Sequence, residues 1–257
     1  MNRIKELFGQ NKKNILSVFY TAGFPNLNDT VSIAVDLEKA GVEMIEIGIP
    51  FSDPVADGPV IQQSNKAALD NGMNLKLLLS QVREIRKTVK LPIILMGYLN
   101  PVLQYGVEKF CNEARESGID GLILPDLPLR EYETEYKSFF EANNLLNVFL
   151  ISPTTSEQRI RTIDRLSDGF IYAVSASSTT GTKNGFSLEQ EQYFKKLCNL
   201  NLKNPLLIGF GISNRETFLK ACEHSAGAIV GSAFITLLKK SHSLTSGIHD
   251  FVKSLKG

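Results

Sequence analysis

The sequence predicts an α/β protein: a single (β/α)8 barrel over residues 1–257, with an extra N-terminal helix. Three observations carry this. Short runs rich in β-branched residues alternate with longer amphipathic segments along the whole chain, which is the repeat of a parallel sheet. The 257 residues, 43% of them apolar, suffice for one large core of the size such barrels have. The glycine fingerprint GxGxxG, which would favour an open doubly wound sheet, is absent after the first run.

Residues 1–13 are charged and polar, with isolated Ile4, Leu7 and Phe8, and lack the continuous apolar region of a signal peptide. Strand one is 15–20. A turn through Gly23 and Pro25 leads to a helix whose start near Asn28 and stop at Gly41 fit capping preferences. Strand two is 42–49. The loop 50–59 is dense in Pro, Asp and Gly, hence shaped, and Pro59 suits the first position of the next helix. A helix with Leu75, Leu78, Leu79, Val82, Ile85 and Val89 on one face precedes strand three, 92–98. Strands four to eight are 121–124, 148–152, 170–175, 206–210 and 228–231, each with a helical segment after it. Pro92 and Pro205 open strands three and seven, where a missing N–H is tolerated. Chemistry in such barrels sits in the loops after the C-terminal strand ends.

Charge narrows the function. The 28 Lys and Arg nearly cancel the 27 Asp and Glu, so no long-range field gathers nucleic acid or an anionic membrane, and the ligand is small. No apolar run is long enough to span a bilayer. Cys111, Cys198 and Cys222 are odd in number, far apart and in helical segments, which argues against a disulfide framework and for the cytoplasm. His224, His242 and His249 lie late in the chain without zinc-site spacing, so no metal is expected.

Strand two contains one out-of-place carboxylate. Glu46 shares a face with Met44 and Gly48, opposite Ile45 and Ile47. If that face is the barrel interior, desolvation raises its pKa toward neutral, where it can transfer protons, and Gly48 leaves it room. The alternative is a structural Glu held by an Arg or by backbone amides. Asp57 falls just before the helix that Pro59 opens, where a turn or capping role is the alternative. Glycine turns stand after strand seven (Gly209, Gly211) and strand eight (Gly231-Ser232), and each leads into a helix. Such turns suit a phosphate. Ser213 and Glu216 fit a capping box. After strand six, residues 176–185 form a stretch of small hydroxyl residues suited to a lid or to a plain surface loop. No lysine lies inside the eight strands, and Lys183 in that loop is the nearest Schiff-base candidate.

The run Glu46-Ile47-Gly48-Ile49-Pro50-Phe51-Ser52-Asp53-Pro54-Val55-Ala56-Asp57-Gly58-Pro59 closely resembles the tryptophan synthase alpha-chain family, whose fold is the TIM barrel. The likeness extends through Pro125-Asp126-Leu127-Pro128, Gly209-Phe210-Gly211-Ile212-Ser213 and Gly231-Ser232-Ala233. It implies a lyase that cleaves indole-3-glycerol phosphate to indole and glyceraldehyde 3-phosphate without metal or organic cofactor. By the same resemblance, Glu46 is the acid/base and Asp57 stabilises charge at the indole nitrogen. Phe19, Tyr172 and Phe210 line the pocket, Thr180 and Gly181 close over it, and Gly211, Gly231 and Ser232 hold the phosphate. The implied partner is a beta chain carrying pyridoxal phosphate, in an α2β2 tetramer, reached through the Asp53 to Asp57 loop and the segment after strand six. Where the family commonly has a glycine in the strand-six loop, this chain has Ser178. Another phosphosugar enzyme on the same barrel, such as an aldolase using Lys183, and a non-enzymatic phosphate-binding subunit are the rival readings.

Overall fold

The structure, a computed structural model, describes residues 2–175 and 185–257. Its strands are β1 (Ile15–Thr21), β2 (Met44–Gly48), β3 (Ile93–Met96), β4 (Gly121–Ile123), β5 (Leu146–Val148 and Leu150–Ile151), β6 (Ile171–Val174), β7 (Leu206–Gly209) and β8 (Gly227–Val230). All pairings are parallel. β1 pairs with both β2 and β8, while β5 pairs with β4 through its first segment and with β6 through its second. The sheet therefore returns on itself as the expected barrel, with β5 interrupted at Phe149.

Two apolar layers follow from the alternation of side chains along each strand. The inward set includes Ile15, Met44, Ile94, Ile123, Val148, Tyr172, Leu207 and Ile229. The outward set, such as Leu16, Val18, Ile45 and Ile47, meets the helices. Among these helices, α2 (Asp29–Ala40), α3 (Pro59–Asp70) and α4 (Leu75–Ile85) follow α1 (Arg3–Gly9) in chain order. On α4 the anticipated stripe holds: Leu78, Leu79, Val82 and Ile85 are buried, as is Val89 beyond its end.

The N-terminal helix closes the bottom of the barrel. Ile4 and Leu7 of α1 join the interior cluster. Asn2 caps the helix by accepting from Ile4 N at 2.9 Å, and its amide donates to the carbonyls of Asp120 and Asn144 at 2.8 Å each. Buried Asp120 accepts from Arg3 at 3.0 Å, Arg86 at 2.5 Å and Ile93 N at 2.9 Å. These bonds tie the helix to the strands.

Several local expectations shift. Strand five begins at Leu146, not 148, because Leu146 and Val148 are inward residues on either side of Asn147. Pro92 and Pro205 stand just before their strands, where their carbonyls accept from Ile45 N and Ile171 N. Asn28 occupies the N-cap of α2 without a side-chain cap bond, whereas Gly41 ends it in the left-handed conformation at φ 89°. The Ser213/Glu216 capping box is corrected by one residue: Asn214 caps the helix Arg215–Cys222, and Thr217 is its reciprocal partner. An Asn-Thr pair serves the same two backbone donors that a Ser-Glu pair would.

Candidate active site

Glu46 lies where strand parity places it, inside the barrel and fully buried. Its Oε1 accepts a hydrogen bond from Ser17 Oγ at 2.8 Å, and its Oε2 has no hydrogen-bond partner among the described residues. Among the described residues, no Arg or backbone amide hydrogen-bonds to it. Burial pushes Glu46 up to about 7, with the Ser17 bond opposing. A buried carboxyl with one free oxygen is poised to give and take a proton near neutral pH.

The room next to Gly48 goes to Phe19 rather than to Glu46. A Cβ on Gly48 would lie 2.7 Å from Phe19 Cζ, and a Cβ on Gly231 would meet the same ring at 3.5 Å. The registers Phe19↔Glu46 and Val18↔Val230 explain this, since β1 lies between β2 and β8. Phe19 thus roofs the strand carrying Glu46 and reaches toward the β8 turn.

Above Glu46 opens a cavity of about 80 Å³. Phe19, Gly48 and Ile49 form one wall, Asp57, Ile61 and Asn65 another, Met96 and Tyr98 a third, and Leu150 and Phe210 the far side. The loop before α3 is ordered by its own bonds: Asp57 N donates to Pro54 O at 3.0 Å, and Gln62 Nε2 donates to Asp57 O at 2.9 Å. Gly58, not Asp57, is the N-cap of α3, and no side chain caps it, so the Asp57 carboxylate is not spent on the helix. Instead Tyr98 accepts from Ala56 N at 3.0 Å and donates its hydroxyl to Asp57. Burial pushes Asp57 up to about 6, with the Tyr98 hydrogen bond opposing.

Tyr172 stands inside the barrel beside these groups. Burial first, then the charges of Glu46 and Asp57, raise its pKa well above the ordinary phenol range, so it stays protonated. Gly209 makes space for it: a Cβ there would be 2.2 Å from Tyr172 Cε2. The Tyr172 and Phe210 rings are 6.2 Å apart.

The two glycine turns differ. After β7, Phe210 and Gly211 both adopt positive φ, 67° and 76°, but the N–H groups of Ser213 and Asn214 are taken by Thr217 Oγ1 at 3.1 and 3.2 Å. After β8, Gly231 is the N-cap of the helix Ser232–Lys240 and provides no side-chain cap. That helix therefore begins with backbone donors that no N-cap side chain takes.

Of the site residues anticipated from sequence, Phe19, Asp57 and Phe210 line the cavity. Glu46 and Tyr172 lie buried beneath it, and Gly211, Gly231 and Ser232 stand at the same barrel end without lining it. Thr180, Gly181, Ser178 and Lys183 lie outside the described residues. Among the described residues no lysine is buried, no cluster could hold a metal ion, and no helix is long and apolar enough to cross a membrane. Sequence reasoning missed Ser17, Tyr98 and Asn65. Ser17 was detectable as a hydroxyl on the inward parity of an otherwise apolar strand, and Asn65 as the residue one turn after Ile61. For Tyr98 nothing marked its contact with a loop more than thirty residues earlier.

Residues 5–255 match the family model described as "Tryptophan synthase alpha chain". The chain is 57% identical over 256 residues to the tryptophan synthase alpha chain of Flavobacterium johnsoniae, covering 100% of both, and 52% identical to that of Parabacteroides distasonis at the same coverage. Among solved structures, the tryptophan synthase subunit alpha of Legionella pneumophila superposes with TM-score 0.89 at 36% identity, covering 99% of this chain and 97% of that one. A tryptophan synthase structure from Mycobacterium tuberculosis gives TM-score 0.89 at 28% identity, covering 99% and 96%.

Proposed function

This chain belongs to the tryptophan synthase alpha chain family, and from that premise we propose how its two carboxylates divide the reaction. The enzyme is a lyase of L-tryptophan biosynthesis that splits indole-3-glycerol phosphate into indole and glyceraldehyde 3-phosphate by a retro-aldol step. One observation carries the assignment of roles: Glu46 is fully buried beneath the cavity while Asp57 lines it, so burial raises Glu46 further, to about 7 against about 6 for Asp57. A window between them holds Glu46 protonated and Asp57 charged.

Glu46 donates its proton to the indole ring carbon that bears the glycerol chain. Positive charge then develops at the indole nitrogen, and the Asp57 carboxylate stabilises it. The Glu46 carboxylate takes the proton of the adjacent chain hydroxyl. The carbon-carbon bond breaks, its electron pair returns to the ring, the aldehyde forms, and Glu46 is protonated again. Phe19, Tyr172 and Phe210 pack the indole. Backbone N–H groups at Gly211, Gly231 and Ser232 hold the phosphate, supported by the uncapped start of the helix at Ser232. Thr180 and Gly181 complete the enclosure in this reading. No step calls for a metal or organic cofactor on this chain.

The partner is a tryptophan synthase beta chain, which carries pyridoxal phosphate and joins indole to serine in an α2β2 assembly. The loop of Asp53 to Asp57 faces it in this reading, supported by Val55, 87% exposed in that loop. Free Cys111, Cys198 and Cys222 suit the cytoplasm. The test is indole release from indole-3-glycerol phosphate by the chain with its beta partner; no release ends the lyase reading.

A further inference from the structure

We propose that Ser17 is a positioning residue for this reaction: its hydroxyl holds Glu46 Oε1 and leaves Oε2 as the oxygen that passes the proton. The inference deepens the lyase reading and rests on it. Ser17 is fully buried on β1, at the inward parity, with its Oγ 2.8 Å from Oε1. The register pairs Ser17 with Met44 and Phe19 with Glu46, so Ser17 holds the carboxyl from below while Phe19 covers it from above.

A hydroxyl has one proton to donate, and Ser17 gives it to Oε1. The proton of the neutral carboxyl then belongs on Oε2, since on Oε1 it would face the proton of Ser17. Oε2 is buried and has no partner among the described residues. An unpartnered oxygen is far cheaper to bury in a neutral acid than in a carboxylate, so the arrangement suits a resting acid whose next partner is substrate. Among the described residues, the titratable group beside it is Tyr172 on β6, which the charges of both Glu46 and Asp57, the latter in the loop after β2, raise further after burial. Neither Tyr172 nor Asp57 makes a hydrogen bond to Glu46, which leaves Ser17 as the one side chain among the described residues that donates to it.

The bond favours the ionised form, so losing it raises the point at which Glu46 loses its proton. In Ser17→Ala the alkaline limb of kcat/KM for indole release should move up by about one pH unit, tenfold in proton affinity, while KM changes little. Ser17→Thr keeps the hydroxyl and should restore the wild-type limb. Infrared titration of the Glu46 carboxyl stretch in the same folded proteins should show the same displacement without substrate. Circular dichroism verifies that each variant is folded. Wild-type protein that titrates at Glu46 as expected yet releases no indole overturns the lyase reading. Indole release with an unmoved limb and an unmoved carboxyl titration in Ser17→Ala overturns the role of Ser17.

Discussion

Removing the hydroxyl of Tyr98 should narrow the pH window of turnover from its acid side. The productive state needs Asp57 charged and Glu46 protonated, and these groups ionise at about 6 and about 7. Treated as independent, they place roughly 60% of molecules in that state near pH 6.5 and about a tenth at pH 5 and pH 8. The Tyr98 hydroxyl pulls Asp57 down against burial, which is the larger cause. Tyr98→Phe keeps the ring that packs 5.0 Å from Phe51 and deletes that bond. A loss of about one pH unit at Asp57 lowers the productive fraction about fivefold at pH 6 and hardly at all at pH 8. The assay is kcat/KM for indole release with the beta chain, measured from pH 5 to pH 9 on wild type and variant. A loss of equal size at every pH, or an acid limb that stays in place, would refute the reasoning.

Three further outcomes follow from the same contacts. Burial holds Glu46 at about 7 when folded, well above the ordinary carboxylate range of the unfolded chain, so the unfolded chain ionises first as pH rises. No penalty exists below the unfolded value, and it reaches about 3 kcal/mol above pH 7. Glu46→Gln should therefore melt above wild type at pH 8 and close to it at pH 4, and equal melting at both would contradict the burial account. Gly209→Ala places a methyl group 2.2 Å from Tyr172 Cε2 and should cost about 1–3 kcal/mol in urea unfolding, with indole release reduced as the ring is displaced. Asp120→Ala leaves Arg86, which is only 10% exposed, without its buried partner and should cost about 3–5 kcal/mol, measured by the same unfolding curves.

The fold was legible because period-2 and period-3.6 patterns survive in every unit. Gly41 ended its helix as glycine chemistry requires, and parity put Glu46 on one face with Met44, which the structure makes the barrel interior. What the pattern could not show was contact between distant segments. Gly48 reads as space for its neighbour in sequence, yet the neighbour across the register, Phe19, fills it. Asp57 reads as a capping residue until Tyr98, brought beside it by barrel closure, takes its carboxylate. The start of strand five was misplaced by two residues because Asn147 interrupts its apolar run between the inward Leu146 and Val148, and the cap at Asn214 by one because side-chain bonds set that end. The family motif supplied the substrate; the geometry supplied the reason why two carboxylates in one cavity need different environments.

The central claim is that Glu46 carries the proton in both directions. Indole release from indole-3-glycerol phosphate, measured on wild type and Glu46→Gln with and without the beta chain, tests it most directly. The account predicts release by wild type and a loss of at least a hundredfold in the variant under both conditions, the scale of a general acid–base contribution. An unchanged rate in folded Glu46→Gln would contradict it.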